Sequence, residues 1–225
     1  MPNFVAVNHA HGAFITFLVQ IITLRQFYNI LSSAVLSGIC ISISSICYLR
    51  VGGIAGAVLF SFGLLAVVHY GWKLYTGVSG FVRTRRDLVQ LPLILVGNIL
   101  GCVLTALVMR YSQPALVDSA HTVFNSRLGL GLVPCALMGV GCGFIMTTVV
   151  KFAREGKFLP LLFGVPIFIL CGFLHSIADA FYISMLPADM LAAQCGEILA
   201  VYILVVVGNF VGCNLTRIIT LTRTT

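Results

Sequence analysis

The chain has 225 residues, 60% of them hydrophobic and 8% charged, with a mean hydropathy of +1.09 and a formal net charge of +7. Soluble domains carry about 25% charged residues, so this composition excludes an ordinary soluble domain and indicates an integral membrane protein. The positive charge lies in short clusters between apolar stretches and follows a topological pattern, which argues against nucleic acid as a partner.

The first Lys or Arg is Arg25, so the positive start required by a cleavable signal peptide is missing and none is expected. Gly12–Leu24 reads as a short apolar helix at the interface or against the bundle. Six apolar stretches follow: Phe27–Tyr48, Ile54–Trp72, Leu88–Tyr111, Leu128–Val150, Leu159–Met185 and Met190–Leu215. Each is long enough for a hydrocarbon core of about 30 Å, which takes about 20 helical residues. In lipid only helices or closed barrels satisfy the backbone, and continuous apolar runs without alternation select helices. The reading is one domain, 1–225, comprising an N-terminal segment (1–26), a six-span core (27–215) and a cytoplasmic tail (216–225). Loops are short and extramembrane mass is minimal.

Nine of the thirteen basic residues fall on one side of this plan: Arg25, Arg83, Arg85, Arg86, Lys151, Arg154, Lys157, Arg217 and Arg223. Arg50, Arg110 and Arg127 lie opposite, and Lys73 is near a span end. The positive-inside rule puts both termini in the cytoplasm, in an inner or plasma membrane. The eight cysteines lie mostly within spans, form no CxxC pair and lack histidines at zinc spacing, so they read as small packing residues. No metal or cofactor is expected.

The two halves resemble each other. Phe62-Gly63 precedes Gly71 by eight residues, as Phe163-Gly164 precedes Gly172. The third span contains Gly97-Asn98-Ile99-Leu100-Gly101 and the sixth Gly208-Asn209-Phe210-Val211-Gly212. Small residues four apart let helices approach closely, and an Asn at the same place in both halves fits bracing of a broken segment nearby. Three spans repeated with opposite orientation form the inverted-repeat plan of many transporters. The stretch after Gly71, WKLYTGVSGF, carries Lys73, Thr76 and Ser79. Its counterpart, CGFLHSIADAFY, carries His175, Ser176 and Asp179. Both are too polar for lipid-facing helix, so the second and fifth spans are expected to be broken, with half-helix N-termini directed at a central, anion-preferring site.

These motifs (GNILG, GNFVG, GWKLYTG and CGFLHSIADAFY) resemble the formate/nitrite transporter family from about Gln26 to Leu215. The resemblance implies an all-α polytopic membrane protein: six transmembrane helices in two inverted three-helix repeats, an aquaporin-like protomer with its own pore, and a homopentamer. It places His175 on the family's central pore histidine and Thr76 on the loop threonine that hydrogen-bonds toward it. Leu74, Tyr75, Phe60, Leu64 and Phe168 fall on the constriction positions, and Arg127 on the basic residue of the outer vestibule. Asn98 and Asn209 are the bracing amides. Three positions depart from the pattern: Leu174 stands where Glu is usual, Asp179 where Asn is usual, and Gly143 where the fourth span has Asn.

An ionisable residue at membrane depth is functional by default, and His175 is read as one. Asp179, at i+4, is expected at a helix end or subunit boundary outside the narrow path, since an Asp lining the pore would repel anions. Lys73 either snorkels or draws anions to a mouth. His69 reads as a core residue, and His9, His11 and His121 as terminal or loop residues. The function expected is passive or proton-coupled passage of small monovalent weak-acid anions (formate, nitrite or hydrosulfide). A channel for neutral solutes such as water, urea or ammonia is the alternative, because Leu174 and Gly143 remove polar groups. An intramembrane His/Asp enzyme is a weaker one, since no HExxH or GxSxG accompanies the pair.

Overall fold

The computed structural model describes the backbone of residues 3–220 and the side chains of residues 24–220. The side chains of His9 and His11, and Arg223, lie outside the described residues. Helix α1 runs Asn3–Val51 without interruption, so the separate helix expected at Gly12–Leu24 is instead continuous with the first span. Then come α2 (Gly53–Tyr70), α3 (Tyr75–Val78) with a 3₁₀ turn (Ser79–Phe81), and α4 (Arg85–Ser112). The remaining helices are α5 (Ala115–Leu130), α6 (Leu132–Arg154), α7 (Leu159–Leu170), α8 (Ser176–Met185), α9 (Ala188–Ala193), α10 (Cys195–Cys213) and α11 (Leu215–Thr220). There is no strand among the described residues.

Five helices are long and apolar enough to cross a membrane: α1 from Leu24, α2, α4, α6 and α10. The fifth span is divided between α7 and α8. Helix α1 packs on α2 and α4, and α6 packs on α7 and α10 in the same way. The halves meet where α2 lies against α7 and α8 lies against α4.

Both breaks begin identically. Gly71 adopts φ 66° and Gly172 φ 75°, left-handed backbone that only glycine takes without strain. Trp72 N–H then reaches back to the Val67 carbonyl at 3.0 Å, and Phe173 N–H to the Phe168 carbonyl at 2.9 Å. These are Schellman endings, and they show that the chain leaves helix by a specified route in each repeat. A constant offset of 101 residues relates them, and it makes Leu74 the counterpart of His175.

The pentad glycines seat the spans against each other. A Cβ at Gly101 would meet the Val35 carbonyl of α1, and one at Gly212 the Val140 carbonyl of α6. Gly38 and Gly143 close the same contacts from the other side, each lying under the carbonyl of the pentad Asn, Asn98 or Asn209. Gly143 is therefore a packing residue with Gly38 as its repeat partner.

Helix α5 departs from the short loops expected. Leu116, Ala120 and Phe124 are fully buried at a four-residue spacing, one apolar stripe of a helix that is otherwise partly or fully exposed. His121 lies on this helix, not in a loop. Gly131, at φ 82°, ends it, so the fourth span starts at Leu132 rather than Leu128. His69 is exposed on the rim of an outer groove, edge-on to Tyr70 at 5.1 Å, and is not a core residue.

Candidate functional site

Each break is braced by the amide of its own repeat. Tyr75 N–H donates to Asn98 Oδ1 at 2.8 Å, while Asn98 Nδ2 donates to the Lys73 carbonyl at 2.9 Å and the Ala34 carbonyl at 2.7 Å. Ser176 N–H donates to Asn209 Oδ1 at 2.9 Å, and Asn209 Nδ2 donates to the Leu174 and Gly139 carbonyls, both at 2.8 Å. Both amides are fully buried. Each amide thus pairs the first N–H of the half-helix and a carbonyl of the non-helical stretch before it, groups that burial would otherwise leave unpaired.

Bracing brings Thr76 and His175 together. Thr76 Oγ1 lies 2.8 Å from His175 Nε2, with both residues buried. His175 is also the N-cap of α8, its Nδ1 accepting from Ala178 N–H at 3.2 Å. With Nδ1 an acceptor, the ring in this geometry is neutral and its proton sits on Nε2, directed at Thr76. The ring of Phe168 lies over His175 with centroids 5.7 Å apart, and Phe60 stands edge-on to Phe168 at 5.7 Å.

Cavities open on both sides of this pair. One, of about 350 Å³, is lined by Phe60, Phe168, His175, Arg127, Asp179 and Tyr182, among others. The other, of about 340 Å³, is lined by Leu64, Lys73, Gly77, Val78, Val150 and Arg154, among others. Phe60 and Leu64 are one turn apart on α2 and belong to different cavities, as do His175 and Gly77, the neighbour of Thr76. The barrier between the cavities is therefore Phe60, Leu64, Phe168 and the Thr76–His175 pair.

Leu74 and Tyr75 line neither cavity. Leu74 is wholly buried, and Tyr75 turns toward α10, where its hydroxyl lies 3.4 Å from the Val206 carbonyl. Lys73 sits in the break with its backbone held by Ser33 and Asn98. Arg154 donates to the Gly77 carbonyl at 3.2 Å and lies over the Phe81 ring at 3.8 Å. No sequence motif singles out Arg154, whose only signal is its place in a cluster of basic residues.

Asp179 stands at the N-terminal end of α8, as expected, but in a cavity wall and not outside the path. It is buried in the first turn of α8, and its Oδ1 lies 3.3 Å from Arg127 Nε across the cavity lining. The other departures lie outside both cavities. Leu174 packs with Cys135, Val201 and Val205, and Gly143 is closed against α10. Neither strips a polar group from the cavity walls. Among the described residues, no cluster of three or more His, Cys, Asp or Glu is arranged for a metal.

Two cavities, each with charged side chains in its lining and separated by an apolar barrier, with a histidine and a hydroxyl at the junction of two broken spans, define a membrane conduit for small solutes. The family model described as formate/nitrite transporter matches residues 18–221, and the chain belongs to that family. It is an integral multi-pass membrane protein. Among solved structures, a pentameric formate channel with formate bound is 20% identical with a TM-score of 0.73, the match covering 88% of this chain and 99% of that one. An FNT family ion channel is 19% identical with a TM-score of 0.72, covering 95% and 96%. At these identities the likeness is one of fold. No curated protein matches the chain.

Proposed function

We propose that this protein is a transmembrane conduit for small monovalent weak-acid anions of the formate, nitrite or hydrosulfide class, with passage controlled at His175. The observation carrying this is the 2.8 Å contact of Thr76 with His175 between two cavities, in a chain of the formate/nitrite transporter family. The protein is a homopentamer with one pore per protomer, in keeping with the pentameric formate channel of like fold. Both termini are cytoplasmic, in the orientation that puts the basic clusters inside.

A bare anion entering the Phe60/Phe168 ring loses its water, which is costly in an apolar setting. The Nε2 proton of His175 is the polar group available there. It holds the anion by a hydrogen bond. To pass a proton on, the ring first takes a second one from cavity water and becomes imidazolium, which protonates the anion and returns to the neutral ring. The acid that crosses releases that proton to water on the other side. Thr76 holds the Nε2 proton in line, and the α8 N-terminus orients the ring. Histidine suits proton exchange with weak acids because its ordinary range lies near neutrality. In this role the site residues are His175, Thr76, Phe60, Leu64 and Phe168, with Asn98 and Asn209 positioning the breaks and Lys73 and Arg127 at the mouths. The six-span core at 27–215 holds them all.

The test is solute uptake into proteoliposomes, comparing formate, nitrite and hydrosulfide with urea at two pH values, for wild type and His175→Asn. Asn retains an N-cap acceptor for Ala178 N–H and removes the titratable ring. Weak-acid flux driven from the Lys73 side that loses its pH dependence in the variant supports the reading. Urea flux exceeding that of all three weak acids in wild type would overturn it.

A further inference from the structure

The two cavities carry opposite electrostatic designs. On the Lys73 side, no carboxylate among the described residues forms a salt bridge with either Lys73 or Arg154. On the Arg127 side, the cation is matched by Asp179, which is 2% exposed at its side chain against 19% for Arg127. Charge that would concentrate anions at this mouth is cancelled by a carboxylate built into the wall.

The pair is also incompletely used. Arg127 commits Nε to Asp179, and Nη1 to the Val123 carbonyl at 2.7 Å and Ser126 Oγ at 3.1 Å, leaving Nη2 without a partner among the described residues. Asp179 commits Oδ1, while its Oδ2 is buried with no hydrogen-bond partner among them. A buried carboxylate oxygen without a donor is costly, and this residue lines a cavity large enough for a small molecule. Two side chains already in contact therefore hold one free donor and, just beneath the cavity wall, one buried acceptor that lacks a donor.

Such a pair is complementary to a molecule that accepts at one atom and donates at its neighbour. An undissociated carboxylic or nitrous acid does so, through its doubly bonded oxygen and its O–H. Its conjugate base has only acceptors and would set negative charge against Asp179 Oδ2. We propose that Arg127 and Asp179 form a docking site for the undissociated form of a small weak acid, and that Asp179 is the residue selecting acid over anion at this mouth. The inference rests on the weak-acid reading above and adds the protonation form admitted.

The other titratable groups around the pair are Tyr48 of α1, Cys135 and Cys142 of α6, His175 and Tyr182 of α8, and Tyr202 of α10. Arg110 of α4 lies at the far end of α8, bonded to the Ser184 and Leu186 carbonyls. Asp118 and His121 share α5 with Arg127 but do not line the cavity. Among the described residues, Asp179 is the one carboxylate in that lining.

Formate is the probe, with purified protein in proteoliposomes on a solid-supported membrane that records current alongside radiolabel uptake. In wild type, uptake should fall about tenfold per pH unit above pH 5 on the Arg127 side, tracking the undissociated fraction, with little current. Asp179→Asn keeps an oxygen for Arg127 Nε and frees the cation, and should raise formate current severalfold and flatten the pH slope. Arg127→Gln/Asp179→Asn is neutral again and should return the current to the wild-type level, which a mere packing change would not do. A wild-type formate current as large as that of Asp179→Asn, or a double variant as conductive as the single, overturns the docking proposal while leaving weak-acid transport standing. Absence of weak-acid uptake in wild type and both variants, each shown by size to be assembled, overturns the transport reading and this inference with it.

Discussion

Cys102 donates its thiol to the carbonyl of Ile177 at 3.3 Å, joining the third span of one repeat to the half-helix of the other. The converse also holds, since Cys213 donates to the Thr76 carbonyl at 3.4 Å. Each cysteine follows its pentad Asn by four residues, so one helix face carries an amide for its own break and a thiol for the opposite half-helix. The repeats are cross-braced, and the brace from Cys213 ends on the residue that contacts His175. Replacing either cysteine by Ala removes a weak hydrogen bond and leaves a small void, at a cost of about 1 kcal/mol. Melting temperatures in detergent should fall by a similar few degrees for both variants. Weak-acid flux should drop more for Cys213→Ala, because Thr76 is then free to shift.

The bracing amides should matter far more than the thiols. Asn98→Ala or Asn209→Ala leaves an N–H (Tyr75 or Ser176) and a carbonyl (Lys73 or Leu174) unpaired in a buried setting, at about 1–3 kcal/mol for each group, while Ala34 and Gly139 keep their helical partners. Either variant should lose assembly or melt well below wild type when followed by fluorescence-detected size exclusion. Melting within about 2 °C of wild type for both would mean that the breaks are held by packing alone.

These braces are legible in the sequence because glycine, asparagine and broken apolar pattern are local signals repeated in both halves. The glycines Gly71 and Gly172, the bracing by Asn98 and Asn209, and the interruptions at Thr76 and His175 all follow from them. The features that escape a sequence reading depend on distant contact. Asp179 and Arg127 are 52 residues apart, and nothing in either neighbourhood reveals the pairing. Helix α5 is hidden because its buried stripe is only three residues long and is completed by packing on α8. Gly143 reads in the sequence as a lost polar group, since the nearness of the Asn209 carbonyl exists only in the folded protein.

Gly143→Asn, which restores the residue usual in the family, should therefore be harmful here. Its Cβ would strike the Asn209 carbonyl and force α6 from α10, and overpacking of this kind typically costs about 1–3 kcal/mol. Gly38→Ala is the matched control in the other repeat, and the two should lower thermal stability together. A Gly143→Asn protein as stable as wild type and altered in selectivity would instead assign that position to the pore.

Lys73 offers a test of the mouth opposite Arg127 that leaves the brace intact, because its contacts there are made through backbone N–H and carbonyl. With Arg154 it makes that cavity positive, and exposed charges at a mouth raise the local concentration of anions. Their effect is screened at high salt, where the Debye length shrinks to about 3 Å near 1 M. Lys73→Gln should reduce anion entry from this side by roughly twofold to fivefold in low salt and leave entry from the Arg127 side unchanged. The difference should shrink as ionic strength rises. Sided flux measured in vesicles of defined orientation, at about 20 mM and about 500 mM of an impermeant salt, separates the outcomes. Equal loss from both sides at both salt concentrations would show that Lys73 acts on the structure of the break and not on the ion.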